Sequence, residues 1–407
     1  MCEISVQKIK DLAPDSTLLY NGGGNFYIFV WNLTEADLSS IRQSLVKALL
    51  EDDLYLSLSW VPVQKDDLLK FDQKWKELQV QSNIDKLKKY QGFDQAFVPL
   101  SRNVEKSRER ERIFTKELAL AQGFSIQGGK AAKSHKIDGK KIYFSDHIFQ
   151  LRPQPDPHSF AGKISNKLPL CWDEGYRESI RPIIEKVGEE RRSKGQLVDI
   201  PNVGEIMDFE HLAALAQDRT GTDKLGVLKL DVDFLGDLFS NTSDYRQTAR
   251  LSQALHWFFE EFIHVLWEAT FVHHTPEILD DPADSSLENK EKKLLEEKIT
   301  FRNNIYVVYS GGDDCFLLGA WDAVFEFAGL IQRAFRAFAE YLNQAIPHLK
   351  STLERLGREY ITISAGLILI DEKFPVIRFA KIAEDALGEA KGFEKKINES
   401  TIGQKNA

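Results

Sequence analysis

Residues 305–320 read IYVVYSGGDDCFLLGA. Two apolar runs flank Gly311-Gly312-Asp313-Asp314, the pattern of a β-hairpin with its turn at the glycines. The glycines permit a tight turn and let a ligand approach the backbone closely. Upstream, LGVLKLDV at 225–232 is a strong strand, and an apolar helical face follows at about 245–271. Downstream come a helix (AVFEFAGLIQRAFRAFAEYLN, 323–343), a strand (YITISAGLILI, 360–370) and a last helix (RFAKIAEDALGEAKGFEKK, 378–396). The order strand, helix, hairpin, helix, strand, helix fits a ferredoxin-like or palm domain.

Three features of this region carry chemistry. Asp231 and Asp233 close the first strand, and alternation would place both on one face. Asp313 and Asp314 sit at the hairpin tip, and Lys391 lies in the last helix. Carboxylates brought together from adjacent strands cannot all ionise cheaply, and a divalent cation resolves the repulsion. Hard oxygen ligands completed by water and phosphate suit Mg²⁺ or Mn²⁺. Two such ions about 3.5–4 Å apart would activate a hydroxyl and neutralise a leaving pyrophosphate, which is nucleotidyl transfer. A lysine nearby would hold triphosphate charge. Singly, each feature has a plainer reading: a turn, a helix cap, a surface lysine. Two acidic clusters, each ending an apolar strand, make coincidence the weaker account.

The motif has an internal echo. Leu19-Tyr20-Asn21-Gly22-Gly23-Gly24-Asn25-Phe26 parallels Val308-Tyr309-Ser310-Gly311-Gly312-Asp313-Asp314-Cys315. Both copies precede a helix and a strand, expected at 35–50 and 54–62 for the first. The first copy lacks the acids, so a structural role is expected of it. Two related palms facing each other is the simplest account.

The 407 residues suggest two or three domains. A net charge of −9 excludes a nucleic-acid-coating protein, although local basic stretches remain available for phosphate. The three cysteines, Cys2, Cys171 and Cys315, are isolated, which argues against zinc ribbons and disulfide networks. With no signal peptide and no membrane-length apolar run, a cytoplasmic protein is expected. Residues 65–122 read as charged helix, either a solvated face or a partner contact. Residues 123–170 read as irregular, with Lys130, Lys133, Lys136, Lys140 and Lys141 forming either a mobile basic loop or a phosphate-contacting one. Residues 178–219 read as helix and 274–300 as an insertion or loop.

LKLDVDFLG, YSGGDD, ITISAG and AEDALGEAK together resemble the palm of cyclase-polymerases shared with GGDEF diguanylate cyclases. More specifically, the YSGGDD form and the paired palms resemble the large signature subunit of type III CRISPR effector complexes, the Csm type (type III-A) more than the Cmr type. The resemblance implies an α+β fold: two ferredoxin-like, nucleotidyl cyclase-like palms with an intervening helical and irregular domain. The expected boundaries are 1–85 for the degenerate first palm, 86–220 for the linker domain and 221–407 for the catalytic palm. It implies synthesis of cyclic oligoadenylates from ATP when the complex binds target RNA. Asp231 and Asp313 would be metal ligands for Mg²⁺ or Mn²⁺. Asp314 would complete the site or help activate the 3′-hydroxyl, and Asp233 would support it. Gly311 and Gly312 would pass close to the nucleotide, with Ser310 near the base and Lys391 on phosphate. The implied partners are other subunits of the complex, guide RNA and target RNA, with no membrane. The family usually begins with an HD nuclease, yet no His-Asp dipeptide occurs here, so cleavage of single-stranded DNA by that route is not expected. A zinc module between the palms is not expected with Cys171 alone there, and Phe234 stands where the family often has Asn. A short form, a split gene product or a fragment would all fit the missing flanks. Two other readings remain: a non-catalytic scaffold or truncated remnant of the complex, and a diguanylate-cyclase-like signalling enzyme.

Overall fold

The structure, a computed structural model, describes residues 2–22, 25–50, 56–69, 71–88, 117, 121, 123–128, 136–138, 141–144, 147–152, 160–163, 166–192, 199–242, 244–276 and 294–405. Helix α1 (Cys2–Leu12), strands β1 (Thr17–Gly22) and β2 (Asn25–Phe29), helix α2 (Glu35–Leu50), a 3₁₀ turn (Lys65–Leu69) and helix α3 (Phe71–Leu87) form the first part of the chain. β1 and β2 pair antiparallel as the glycine hairpin requires, although Gly23 and Gly24 themselves lie outside the described residues. Ile9, Ile41, Leu45 and Leu58 close a small core behind this hairpin. The strand expected at 54–62 does not form over its described part, 56–62. Leu58 is buried and Leu56 packs beside it, so the alternation records burial of an extended segment rather than a ladder.

The stretch 123–170 is not irregular. It carries β3 (Gly123–Gly128), β4 (Lys136–Asp138), β5 (Lys141–Phe144), β6 (His147–Arg152) and β7 (Phe160–Lys163), joined in the order β4-β5-β6-β3-β7. These strands are only three to six residues long, too short for periodicity to stand out among lysines. Lys130, Lys133 and Lys140 lie outside the described residues. The charged segment expected as a loop at 274–300 likewise carries strand at both its ends: β9 (Thr270–Pro276) pairs with β10 (Leu294–Thr300), and 277–293 lie outside the described residues.

Helices α4 (Glu174–Arg192) and α5 (Phe209–Thr220) lead into β8 (Lys224–Val232). Then follow α6 (Leu235–Ser240), α7 (Tyr245–Trp257), a π-helical turn (Phe258–Phe262) and α8 (Ile263–Trp267). After the β9–β10 ribbon come β11 (Ile305–Gly311), β12 (Asp314–Ala320), α9 (Trp321–Ala345), α10 (Leu349–Arg355), β13 (Ile363–Asp371) and α11 (Val376–Lys405). The sheet runs β11-β12-β8-β13, every neighbour antiparallel. β8 is central and apolar on both faces because helices cover both. Gly226 meets α9, where a Cβ would stand 2.9 Å from Val324. Lys229, three residues on, points to the other face, where it pairs with Glu384 of α11. Its partner across the ladder, Gly366, lies under α11 so closely that a Cβ would stand 2.4 Å from the Ala383 carbonyl oxygen. Arg219 of α5 is tied to Asp322 of α9 by two hydrogen bonds of 2.6 and 2.9 Å, both side chains buried.

An aromatic seam joins the first hairpin to this sheet domain. Trp75 packs at a tilt on Tyr27, ring centres 4.4 Å apart, and meets Phe239 of α6 at 5.3 Å, and Phe29 meets Tyr245 of α7 edge-on at 5.4 Å. Leu19 and Tyr20 are buried in the same core as β8 and β12. Among the described residues no helix is long and apolar enough to cross a membrane.

Candidate active site at the acidic end of the central strands

β8 and β12 run antiparallel in a register that sets Asp231 directly opposite Asp314. Directly opposed residues share a face with Cβ atoms about 4.5–5.5 Å apart, and like charges there repel. Ser364 of β13 faces Asp231 from the other side. The hairpin closes through Gly312 and Asp313, with Gly312 at φ +66°, the positive value that type II′ hairpins place on glycine. The turn is locked to β8 by the Val232 amide, which donates to the Asp313 carbonyl at 2.9 Å.

The electrostatics follow from this crowding. Burial pushes the Asp314 carboxyl up to about 6, and the Asp313 and Asp231 charges push the same way. Asp231 is also raised by burial, with Asp313 and Asp233 adding to it, while Lys391 opposes. Lys391 stands 2.7 Å from Asp231 Oδ1. It arrives there because Ala383, Leu387 and Lys391 form one stripe of α11, and Gly366 lets that stripe lie on the sheet.

Asp233 behaves differently from the expectation of alternation. β8 ends at Val232, and Phe234 turns left-handed at φ +45°, so the ladder stops before Asp233. Asp233 is buried, takes a hydrogen bond from the Thr362 hydroxyl at 2.7 Å on Oδ2, and its amide donates to the Thr362 carbonyl. Phe234 occupies a backbone region that Asn tolerates better, and the Arg358 guanidinium covers its ring at 4.1 Å. Ser310 is fully buried and donates to the Phe259 carbonyl of the π-turn at 2.5 Å. Its hydroxyl is therefore turned inward. Gly311 lies beside Glu260 of the same turn, whose Oε1 would stand 3.0 Å from an added Cβ.

Two tyrosines belong to the site that sequence reasoning did not single out as functional. Tyr20 of β1 donates to Asp313 Oδ1 at 2.7 Å across 293 positions of chain. Tyr309 donates to the Gly311 carbonyl at 3.1 Å, within the same hairpin. Burial and the Asp313 charge hold the Tyr20 phenol far above its ordinary range, so it is a donor throughout the physiological range. The only signal for Tyr20 was its place in the internal repeat.

Among the described residues no three His, Cys, Asp or Glu side chains stand together closely enough to hold a metal ion by themselves. Mg²⁺ does not need such a cage: it is usually bound by one or two carboxylates plus waters and substrate phosphates. The donor set fits that use. The atoms Asp314 Oδ1 and Asp233 Oδ1 are buried with no hydrogen-bond partner, and Asp231 and Asp314 are both raised by burial and by neighbouring carboxylates.

The model of the Cas10/Cmr2 second palm domain matches residues 224–399, and that of Csm1 subunit domain B matches 1–103. The chain is 26% identical over 470 aligned residues to the CRISPR system single-strand-specific deoxyribonuclease Cas10/Csm1 (subtype III-A) of Methanocaldococcus jannaschii, covering 96% of this chain and 52% of that protein. It is 26% identical over 415 residues to the protein of the same name from Thermococcus onnurineus, covering 92% and 47%. In fold it is similar to the apo Csm1–Csm4 cassette, with TM-score 0.62, 23% identity, and 96% and 48% of the two chains covered. The cassette in complex with cA4 gives TM-score 0.57 at 22% identity, with 96% and 48% covered. The chain spans about half the length of the curated relatives it matches. Sheet, helices and acidic strand ends define a palm-domain protein. Its two matched stretches are those of Cas10/Csm1 proteins of type III-A CRISPR systems, the second palm at 224–399 and Csm1 domain B at 1–103.

Proposed function

We propose that this chain joins adenylates from ATP into cyclic oligoadenylates by metal-assisted nucleotidyl transfer, within a type III-A complex that switches it on when target RNA binds. One observation carries the reading: Asp231 and Asp314 are held face to face on neighbouring strands, and Asp314 Oδ1 is buried with no hydrogen-bond partner. Such repulsion is costly unless a cation uses it. We read the β11-β12-β8-β13 order as the ferredoxin-like palm, with the first hairpin as the remnant of its twin.

In this reading Asp231 and Asp313 hold Mg²⁺ or Mn²⁺, Asp314 completes the site and Asp233 supports it from below. When bound, the divalent ion would make the attacking 3′-hydroxyl more acidic and screen the triphosphate. The Asp314 carboxylate would take the hydroxyl proton as the oxygen attacks the α-phosphorus and pyrophosphate leaves. Lys391 exchanges its Asp231 partner for triphosphate oxygens. Gly311 and Gly312 let the nucleotide lie along the hairpin. The relatives' solved cassettes carry Csm4 and bear ATP, AMPPNP or cyclic products, which supports a Csm4-type partner and ATP as substrate here.

The test is radiolabelled ATP with Mn²⁺, given to the chain assembled with a Csm4-type subunit, guide and target RNA. Ring-closed adenylates are expected from the unmutated chain and none from Asp313→Ala/Asp314→Ala. Equal turnover in the double variant would sink the proposal. GTP consumed faster than ATP would favour a diguanylate cyclase instead.

A further inference from the structure

The internal repeat matches Tyr20 with Tyr309, and Gly24 and Asn25 with Asp313 and Asp314. The first copy has no acids to hold, yet its tyrosine is not idle. Both tyrosines reach the one hairpin: Tyr20 bonds the Asp313 carboxyl and Tyr309 bonds the Gly311 carbonyl. We propose that Tyr20 is a positioning residue for Asp313, supplied to the second palm's site by the first palm's hairpin.

The geometry gives the phenol little other use. Tyr20 is 6% exposed, and its ring is fixed between Tyr27 at 5.8 Å and Phe239 at 6.1 Å. Phe239 belongs to α6, the helix that leaves the Asp231–Asp233 strand end, so the ring that aims the hydroxyl at Asp313 rests on the helix that follows the neighbouring acidic strand. The hydroxyl reaches Asp313 at 2.7 Å. Asp313 lies in the hairpin turn beyond the end of β11, outside the ladder that fixes Asp231 and Asp314. A side chain at a turn needs an outside contact to hold one rotamer, and hydrogen bonds to ligating carboxylates supply that orientation. The first hairpin is thus a built part of the site, and displacing it would loosen Asp313 without touching the second palm's own motif.

This rests on the proposed function, and the test separates the two. Tyr20→Phe removes one oxygen and keeps the ring. Mn²⁺ affinity of the full chain, read by calorimetry or electron paramagnetic resonance, is expected to fall about 10–100-fold, the usual effect of losing such an outer contact. In the assembled complex kcat is expected to fall while KM for ATP holds, and the melting temperature to move little. Mn²⁺ affinity and kcat unchanged in Tyr20→Phe, but lost in Asp313→Ala, would overturn the positioning role and leave the proposed function standing. Weakened Mn²⁺ binding in Tyr20→Phe with no ATP turnover in the unmutated complex would keep the positioning role and sink the function. An unmutated chain that binds no Mn²⁺ would overturn the inference, as would a Tyr20→Phe defect that appears only as a lower melting temperature.

Discussion

Asp231 and Asp314 oppose one another with like charge, an arrangement that costs stability. Replacing one acid by its amide removes the repulsion and offers a donor to the other. Asp314→Asn is therefore expected to raise the melting temperature of the metal-free chain at pH 8 by about 2 °C, on the scale where 1 kcal/mol moves a domain of this size by roughly 2–4 °C. The same substitution is expected to weaken Mn²⁺ binding. A variant that melts lower and binds Mn²⁺ as before would contradict the assignment. These acids were legible in the sequence because each lies at the end of an apolar strand, whereas the register that opposes Asp231 to Asp314 became visible only in the sheet. Asp233 was misjudged in one respect: alternation predicted a shared face with Asp231, but the left-handed turn at Phe234 ended the strand first. Tyr20 could not be assigned a partner, because nothing local in the sequence marks a contact 293 positions away.

Helix α11 reaches the site only because residue 366 has no side chain. Gly366→Val would drive two methyl groups into the α11 backbone and is expected to cost about 3 kcal/mol or more, with Lys391 displaced. Urea unfolding would read the loss, and an unchanged midpoint would show that α11 can shift freely. The Arg219–Asp322 pair fastens α5 to α9, and Asp322→Ala strands a buried guanidinium, a loss of about 3–5 kcal/mol. At the start of α5, His211 Nδ1 lies 2.8 Å from Asp208 Oδ1, and Nε2 lies 2.7 Å from the Asp199 carbonyl. Burial opposes charge on His211, but the Asp208 carboxylate and the Asp199 carbonyl outweigh it and raise the imidazole above its ordinary range. A raised histidine contributes stability fully below its unfolded value of about 6.5 and loses it as pH rises through the folded value. His211→Ala is therefore expected to lower the melting temperature more at pH 6 than at pH 8.5, and an equal loss at both would contradict this. The long helices and the β8, β11, β12 and β13 strands were readable from apolar period. The β3–β7 sheet was not, since strands of three to six residues among lysines carry too few periods. The β9–β10 ribbon was hidden by its charges in the same way.

Two hairpins that share one sequence pattern are joined by an aromatic seam, and the seam makes the first part of the chain answer to the second. Phe239 touches both Tyr20 and Trp75. Phe239→Ala is expected to cost about 3–5 kcal/mol and to speed amide exchange at Leu19 and Tyr20 more than along β8. Equal acceleration in both places would mean that the seam does not couple them separately from the core. The repeat itself was visible in sequence, whereas the docking of one copy onto the other's acids depends on side-chain packing between distant segments. The most direct check of the acidic pair as a nucleotide and metal site is calorimetric titration of ATP into the chain, with and without Mn²⁺, beside Asp313→Ala/Asp314→Ala. The account expects ATP binding that requires Mn²⁺ and is lost in the double variant. ATP binding of equal strength in both proteins would contradict it.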